Sequence, residues 1–195
     1  MPHDVSWDDY NAHQWGRVPR ASLDLALDAT SGEPGVAVDL GCGEGVEVAA
    51  LLDAGWTVHA VDGEPAALAR IVDRHGSHAA LHVQHADFTA PPVLPPADLV
   101  HSSYALPYCP PAAFDALWAE VREALRPGAV LAVQLFGPND DSYGDPEMTF
   151  HTEAEAQELL AGLEILHWRE EDADGNAYTG PKHWHVFHVV ARRPA

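Results

Sequence analysis

The stretch VAVDLGCGEG, residues 36–45, decides the fold. Its first half, Val36–Leu40, is a short apolar run that is typical of a buried β-strand. Glycines fill alternate positions directly after it, where they allow the backbone to turn tightly and to approach a ligand closely. Apolar residues then recur at near-helical spacing over Val46–Ala54, and Gly55 follows as a helix stop. A strand, a glycine-rich turn and a helix in this order predict the first unit of a parallel α/β sheet.

The same alternation of strands and helices continues along the chain. Further strands are predicted at residues 57–61, 81–86, 98–102, 129–136, 163–170 and 184–191, and helices at residues 22–29, 64–75, 111–125 and 152–161. Residues 172–181, rich in Asp, Gly and Asn, are predicted to link the last two strands, which have no helix between them and should pair antiparallel. The prediction is therefore an α/β fold whose mostly parallel seven-stranded sheet carries an antiparallel edge strand.

The composition limits what the protein can do. A chain of 195 residues fits one domain, and its 30 acidic and 10 basic residues give a net charge of −20. This charge argues against unspecific binding to nucleic acid and against docking on anionic lipid. Two cysteines, Cys42 and Cys109, make no disulfide framework. With no signal peptide in the first ten residues and no apolar run of about 20 residues, we expect a cytoplasmic protein without a membrane segment.

The spacing of the glycines indicates which ligand the turn takes. A dinucleotide fingerprint is G-x-G-x-x-G, but Val46 stands at the place of its third glycine. Glu44 and Glu47 flank the start of the helix, where they would repel a pyrophosphate. At the end of the second strand, Asp62 is placed to accept hydrogen bonds from a ribose diol, although it would also suit a helix N-cap. A nucleoside with a cationic tail and no phosphate fits these observations.

At this point the residues resemble the class I S-adenosylmethionine-dependent methyltransferases. Five stretches resemble the motifs of that family, in the right order: VDLGCGEG, VDGEP, HADF, ADLVHSSYALPY and LRPGAVLAVQLF. The terminal stretches GRVPR and PKHWHVFHVVARRP are similar to the small tellurite-resistance-type branch. The resemblance implies a Rossmann-like three-layer sandwich and a single methyltransferase domain over residues 1–195, with an N-terminal lid and helix at 1–34 and the core at 35–195. It implies S-adenosylmethionine as cofactor and a methyl acceptor as substrate.

The resemblance also implies roles for residues of the first loop. Gly41, Cys42 and Gly43 would cradle the methionine part and the ribose with their backbone. Asp39, at the end of the strand, would orient the loop or meet the amino group of the cofactor. Arg17 is a candidate for the methionine carboxylate, because a planar guanidinium suits a carboxylate; the alternative is a surface residue or an ion-pair partner.

Four residues of the next two strands would hold the adenosine. Asp62 would accept from the ribose hydroxyls, and Gly63 would pack beside the adenine. Asp87 would accept from the adenine amino group, and Phe88 would cover the ring. The alternative for Asp87 is an ordinary turn residue.

The acceptor side is expected after the fourth strand. Ser102 and Ser103 should line the channel to the sulfonium, and Tyr104, Tyr108 and His151 are the candidate catalytic residues. A base is needed only if the acceptor carries a proton, and the sequence assigns none firmly. The two tyrosines could equally be packing aromatics.

Two alternative functions stay open, and the histidines of the last strand raise the question of a metal site. A nicotinamide-dependent oxidoreductase and a non-catalytic S-adenosylmethionine-binding protein share the fold. His183 and His185 lie on one face of a strand, with His188 on the other, and with His151 they would offer imidazole ligands. No Cys–His or carboxylate–His spacing completes such a site, so we predict no metal. The expected partner is a small-molecule methyl acceptor, and the expected state is a monomer or a homodimer.

Overall fold

The computed structural model describes residues 6–30 and 32–195. Residues 1–5 and Ser31, which belong to the predicted N-terminal segment 1–34, lie outside the described residues. Seven strands form one sheet: β1 Val36–Leu40, β2 Thr57–Asp62, β3 Leu81–His85, β4 Ala97–Ser102, β5 Leu125–Phe136, β6 Glu164–Ala177 and β7 Gly180–Arg192. The strand order is β3-β2-β1-β4-β5-β7-β6.

Six of the seven strands run in one direction, and β7 runs in the opposite direction. β1 pairs with β2 and β4, β2 with β3, and β4 with β5, all in parallel. β7 runs antiparallel to β5 on one side and to β6 on the other. The predicted seven-stranded, mostly parallel sheet with an antiparallel edge is confirmed.

Helices cover both faces of the sheet. They are α1 Trp7–Gln14, α2 Ala21–Ala29, α3 Val46–Asp53, α4 Pro65–His75, α5 Pro111–Ala124 and α6 Glu153–Leu159, with a 3-10 turn at Leu106–Tyr108. Apolar side chains of α2, α3 and α4 pack on one face of the sheet, and those of α5 and α6 on the other. The result is the predicted three-layer sandwich. No helix among the described residues is both long and apolar enough to cross a bilayer.

Two local predictions were wrong. The predicted linker 172–181 is mostly strand, because β6 and β7 extend into one long hairpin whose register pairs Asp174 with His183 and Ala177 with Gly180. β5 begins at Leu125, directly after α5, and not at residue 129 as predicted. The structure adds α1, a helix that was not predicted, and Ser6 caps it by accepting a hydrogen bond from the Asp9 backbone.

Candidate active site

The glycine-rich loop after β1 requires its glycines. Gly41, Gly43 and Gly45 have φ angles of +74°, +50° and +76°, in the left-handed region that favours glycine. A Cβ on Gly41 would lie 2.1 Å from the Cβ of Ala105, in the segment after β4. The loop therefore packs directly on the segment after β4, at the carboxyl ends of the parallel strands, which is the side of an open α/β sheet on which the ligand crevice lies.

Asp62, at the end of β2, braces this loop. Its two carboxylate oxygens accept hydrogen bonds from the backbone N–H of Gly43, at 2.7 Å, and of Glu64, at 2.8 Å. Burial raises the pKa of Asp62, although both hydrogen bonds oppose the shift. The carboxylate thus has a structural role beside the predicted ribose contact, and each oxygen retains a lone pair for a ligand.

Asp39, at the end of β1, is 2% exposed and carries a free acceptor. Its Oδ1 lies 2.8 Å from His101 Nδ1, and the other ring nitrogen of His101 lies 3.4 Å from Ser22 Oγ. Its Oδ2 is buried with no hydrogen-bond partner. Burial raises the pKa of Asp39, and the hydrogen bond from His101 opposes that shift. An orphaned carboxylate oxygen in this place fits a cationic group of a ligand.

The sequence suggested that Glu44 and Glu47 present their negative charge to a bound ligand. In the structure both are instead paired with arginines. Glu44, which is 2% exposed, is paired with Arg70 and Arg74 of α4 at 2.5 and 2.7 Å. Glu47, in the first turn of α3, receives both terminal nitrogens of Arg17 at 2.6 and 2.7 Å. Because both carboxylates are neutralised by arginines distant in sequence, repulsion of a pyrophosphate by these residues is a weaker discriminator than predicted.

Arg17, the residue predicted to bind the methionine carboxylate of the cofactor, is ion-paired with Glu47. Burial alone would raise the pKa of Glu47, but the hydrogen bonds and charge of Arg17 outweigh it and lower the pKa. Glu47 also accepts the backbone N–H of Arg20 at 3.0 Å. Arg17 and Glu47 therefore fasten the segment between α1 and α2 to the helix that follows the glycine loop.

α1, the helix of the predicted lid, packs against the glycine loop. Asn11 of α1 is buried, and its Oδ1 lies 2.9 Å from where a Cβ on Gly43 would stand. Asp8 pairs with Arg70 at 2.7 Å, and the Arg74 guanidinium lies 3.7 Å from the ring of Trp15. These contacts attach the segment of α1 both to α4 and to the glycine loop.

The hairpin β6–β7 also reaches this lid. Tyr178, in the turn of the hairpin, packs edge-on against Tyr10 of α1, with 5.8 Å between the ring centroids. Trp7 packs in the same way against Tyr108, at 4.8 Å. The contact between Tyr178 and Tyr10 could not be predicted, because the turn that carries Tyr178 was predicted within a long linker.

The predicted adenine residues lie beside the loop. Asp87 Oδ1 accepts the Thr89 backbone N–H at 2.7 Å, and this bond lowers the pKa of Asp87. The Phe88 ring approaches within 3.6 Å of the position of a Cβ on Gly41. Gly63 contributes its carbonyl to His85 Nε2 at 3.1 Å. Asp87 is thus a turn residue in this structure, and the contact of Phe88 with the loop suits the predicted cover of an adenine.

The other predicted cofactor residues are Ser102, Ser103 and Cys42, and the polar atoms of their side chains are buried. Ser102 is fully buried and donates to the Leu40 carbonyl at 2.8 Å, so it braces β4 against β1 rather than lining a channel. Ser103 has a buried hydroxyl with no partner. Cys42 is buried, its backbone N–H donates to the Val61 carbonyl, and burial raises the pKa of its thiol, so the thiol is not activated.

Tyr104 and Tyr108 belong to an aromatic cluster at the ends of β4 and β5. Both pack edge-on against Phe136, and burial raises the pKa of each phenol. They are therefore hydrogen-bond donors rather than bases at neutral pH. Tyr104 has a φ of +54°, a strained value for a residue with a side chain, and its N–H donates to Gln134 Oε1 at 3.2 Å.

His151 lies beside the end of β5, where its backbone N–H donates to the Phe136 carbonyl at 2.8 Å. Its ring packs against Phe114 of α5, at 4.7 Å between centroids, and its Nδ1 is buried without a partner. Burial lowers its pKa. His188, which alternation along the strand placed on the other face from His183 and His185, packs edge-on against Tyr104 and lies 2.9 Å from Glu171. The alternation gave the face of His188, but nothing in the sequence indicated that this face meets Tyr104.

His183 and His185 face the opposite side of the hairpin, as predicted. His183 lies between Asp172 and Asp174, at 2.7 Å from each. The ligand atoms of Glu170, Asp172 and His185 lie within 4.8 Å of one another. However, His185 Nδ1 accepts the Asn139 backbone N–H at 3.0 Å, so the proton is on Nε2, which faces Glu170 at 2.9 Å. A metal would need that nitrogen without its proton.

Comparisons with known proteins match this geometry. Residues 37–128 match the family described as a methyltransferase domain. The match covers just under half of the chain and marks these residues as similar to methyltransferases. The matched residues run from β1 to the start of β5 and contain the glycine loop, Asp62 and Asp87. No curated protein matches the sequence.

Three solved structures show how far the likeness of fold extends. TehB from Haemophilus influenzae is 17% identical with a TM-score of 0.77, over 97% of this chain and 68% of that one. NodS, an N-methyltransferase from Bradyrhizobium japonicum solved with S-adenosylhomocysteine, is 16% identical with a TM-score of 0.70, over 98% and 90%. The 1,6-didemethyltoxoflavin-N1-methyltransferase of Burkholderia thailandensis is 22% identical with a TM-score of 0.66, over 90% and 78%.

Proposed function

We propose that this protein transfers the methyl group of S-adenosylmethionine to a small-molecule acceptor. The observation that carries the proposal is the orphaned, buried Oδ2 of Asp39 beside the glycine loop, since a buried carboxylate oxygen without a partner calls for a cationic ligand. The methyltransferase domain match and the two structural relatives that hold S-adenosylhomocysteine support the cofactor.

The residues around the crevice have distinct roles in this proposal. The backbone of Gly41, Cys42 and Gly43 lies along the methionine part and the ribose, and Asp62 accepts from the ribose hydroxyls. Asp39 accepts from the ammonium group. Gly63, Asp87 and Phe88 border the adenine, the last by covering its face.

Catalysis then depends mainly on alignment and on a dry cavity. When bound, S-adenosylmethionine supplies an activated methyl group for in-line displacement. The lid of α1 excludes water from the crevice, while Ser103, Tyr104 and Tyr108 border the acceptor side. Phenols with raised pKa values orient an acceptor by donating hydrogen bonds, and they do not deprotonate it. We assign no step to His151.

The proposal is tested by binding and by turnover. Calorimetry should show binding of S-adenosylhomocysteine and none of NADH, whereas the reverse would establish the oxidoreductase alternative. A panel of thiols, amines, hydroxylated metabolites, selenite and tellurite should then release S-adenosylhomocysteine with at least one acceptor. Tight cofactor binding without release for any acceptor would favour the non-catalytic alternative.

A further inference from the structure

Two arginines without a carboxylate partner line one cleft in the surface. Across the part of the chain that the structure describes, every arginine and lysine except Arg20, Arg122 and Arg193 forms an ion pair with a carboxylate. Arg20 lies against the Tyr104 ring, whereas Arg122 and Arg193 share an open cleft of about 660 Å³. In a chain with 30 acidic and 10 basic residues, two neighbouring arginines without an acidic partner are unexpected.

Each of these two guanidiniums is anchored on backbone carbonyls at the end of a helix. Arg122, in the last turn of α5, donates to the carbonyls of Leu159, at 3.3 Å, and Ala161, at 2.9 Å, where α6 ends. Arg193, directly after β7, donates to the carbonyl of Leu125, where α5 ends and β5 begins. Because β5 is parallel to β4, its first residue marks the amino ends of the parallel strands, opposite the glycine loop. The cleft is therefore separate from the candidate active site.

The carbonyls leave most of the hydrogen-bond donors free. A guanidinium carries five N–H groups, of which Arg122 uses two and Arg193 one. Burial and the charge of Arg193 both lower the pKa of Arg122, so the two cations repel each other. Capping of two helix ends explains the contacts with the carbonyls, but it does not explain why two like charges lie together. An anion between them would relieve the repulsion and accept from the remaining N–H groups.

We propose that the cleft of Arg122 and Arg193 binds the phosphate group of a small molecule. A phosphate dianion balances the charge of two guanidiniums, and its tetrahedral oxygens accept from two planar forks at once. The net charge of −20 repels nucleic acid and anionic lipid surfaces, so the ligand is a small anion. Glu123 also lines the cleft without pairing with either arginine, so its charge weakens the binding of an anion.

The test is a calorimetric titration with inorganic phosphate at about pH 8, where phosphate is a dianion, and at constant ionic strength. The wild type should bind phosphate with a Kd below about 1 mM, and the dicarboxylate succinate about tenfold more weakly or less tightly still. A second titration with glycerol phosphate tells an esterified ligand from the free anion, and binding of either supports the inference.

Four variants locate the site. Arg122→Gln and Arg193→Gln should each weaken phosphate binding by about tenfold or more, because each removes charge-assisted hydrogen bonds. Glu123→Gln should strengthen it by about twofold or more, because it removes a repulsive charge. The control Arg126→Gln removes the same charge from an ion pair with Asp98 that does not line the cleft, and it should change the affinity by less than about twofold.

Wild-type protein that binds phosphate no more tightly than succinate overturns the inference, as does an affinity that Arg122→Gln and Arg193→Gln leave unchanged. If both glutamine variants fail to fold by circular dichroism, because a helix end has lost its cap, NMR of the wild type decides. Phosphate should then shift the Nε–H signals of Arg122 and Arg193 and leave that of Arg126 in place. Signals of the two arginines that do not move would overturn the inference, whatever the protein does with S-adenosylhomocysteine.

Discussion

Replacing Glu47 by glutamine should detach the lid segment from α3. The glutamate side chain is 4% exposed and accepts two charge-assisted bonds, at 2.6 and 2.7 Å, from an arginine that is 26% exposed. Breaking a fully buried ion pair costs about 3–5 kcal/mol, and the partial exposure of Arg17 reduces this value. We therefore expect Glu47→Gln to lower the free energy of unfolding by about 2–3 kcal/mol.

A double-mutant cycle with Arg17→Gln isolates the interaction. Urea denaturation at pH 7 of the wild type, both single variants and the double variant should give a coupling free energy of about 1.5–3 kcal/mol. The pH dependence of the single variants should differ. In the wild type, the pKa of Glu47 lies below its ordinary 4.5, so this stabilisation is present above pH 4.5 and is lost as the pH falls through the folded value.

The stability of the Arg17→Gln variant should depend on pH in the opposite sense to that of the wild type. Without Arg17, burial raises the pKa of Glu47, so the uncompensated charge destabilises the protein at neutral pH and the penalty shrinks on acidification. Glu47→Gln should show no such relief. A coupling below about 0.5 kcal/mol, the limit for independent sites, would refute the reasoning that this pair anchors the lid.

Three further substitutions probe the crevice and the hairpin. Asp62→Ala should weaken S-adenosylhomocysteine binding by about 1–3 kcal/mol in calorimetry, because polar partners lose their acceptor; unchanged affinity would remove the ribose assignment. Gly41→Ala should lower the melting temperature and abolish cofactor binding, since its Cβ meets that of Ala105 at 2.1 Å, and a native melting curve with normal binding would contradict this. Hydrogen bonds to Asp172 and Asp174 raise the pKa of His183 above 6.5, so its stabilisation is present below pH 6.5 and is lost as the pH rises through the raised value. NMR titration should show a lower His183 pKa in Asp172→Asn, and an identical pKa would rule out the hydrogen bond as its cause.

The parallel half of the sheet could be predicted because its signals are local. Val36–Leu40 and Thr57–Val61 are short apolar runs, and each is followed by a turn and a periodic helix. Their ends converge at one edge of the sheet, so Asp39 and Asp62 could be placed near each other. The full length of the β6–β7 hairpin could not be predicted. Charged residues occupy both faces of β6, so its sequence resembles a polar linker.

Long-range pairing explains the other differences in the site. Glu44 and Glu47 read as repulsive charges in the sequence, but the arginines that neutralise them come from α4 and from the segment before α2. The pairing of Arg17 with Glu47 joins residues 30 positions apart, and no periodicity of the sequence encodes it. His101 was missed because a histidine within an apolar strand gives no sign of its partner on the neighbouring strand.

A crystal structure with S-adenosylhomocysteine tests the central claim most directly. We expect the ribose hydroxyls on Asp62, the ammonium group on Asp39, and the sulfur atom facing Ser103 and Tyr104. An empty crevice between the glycine loop and Asp62, together with no heat in a calorimetric titration of the same protein, would contradict it.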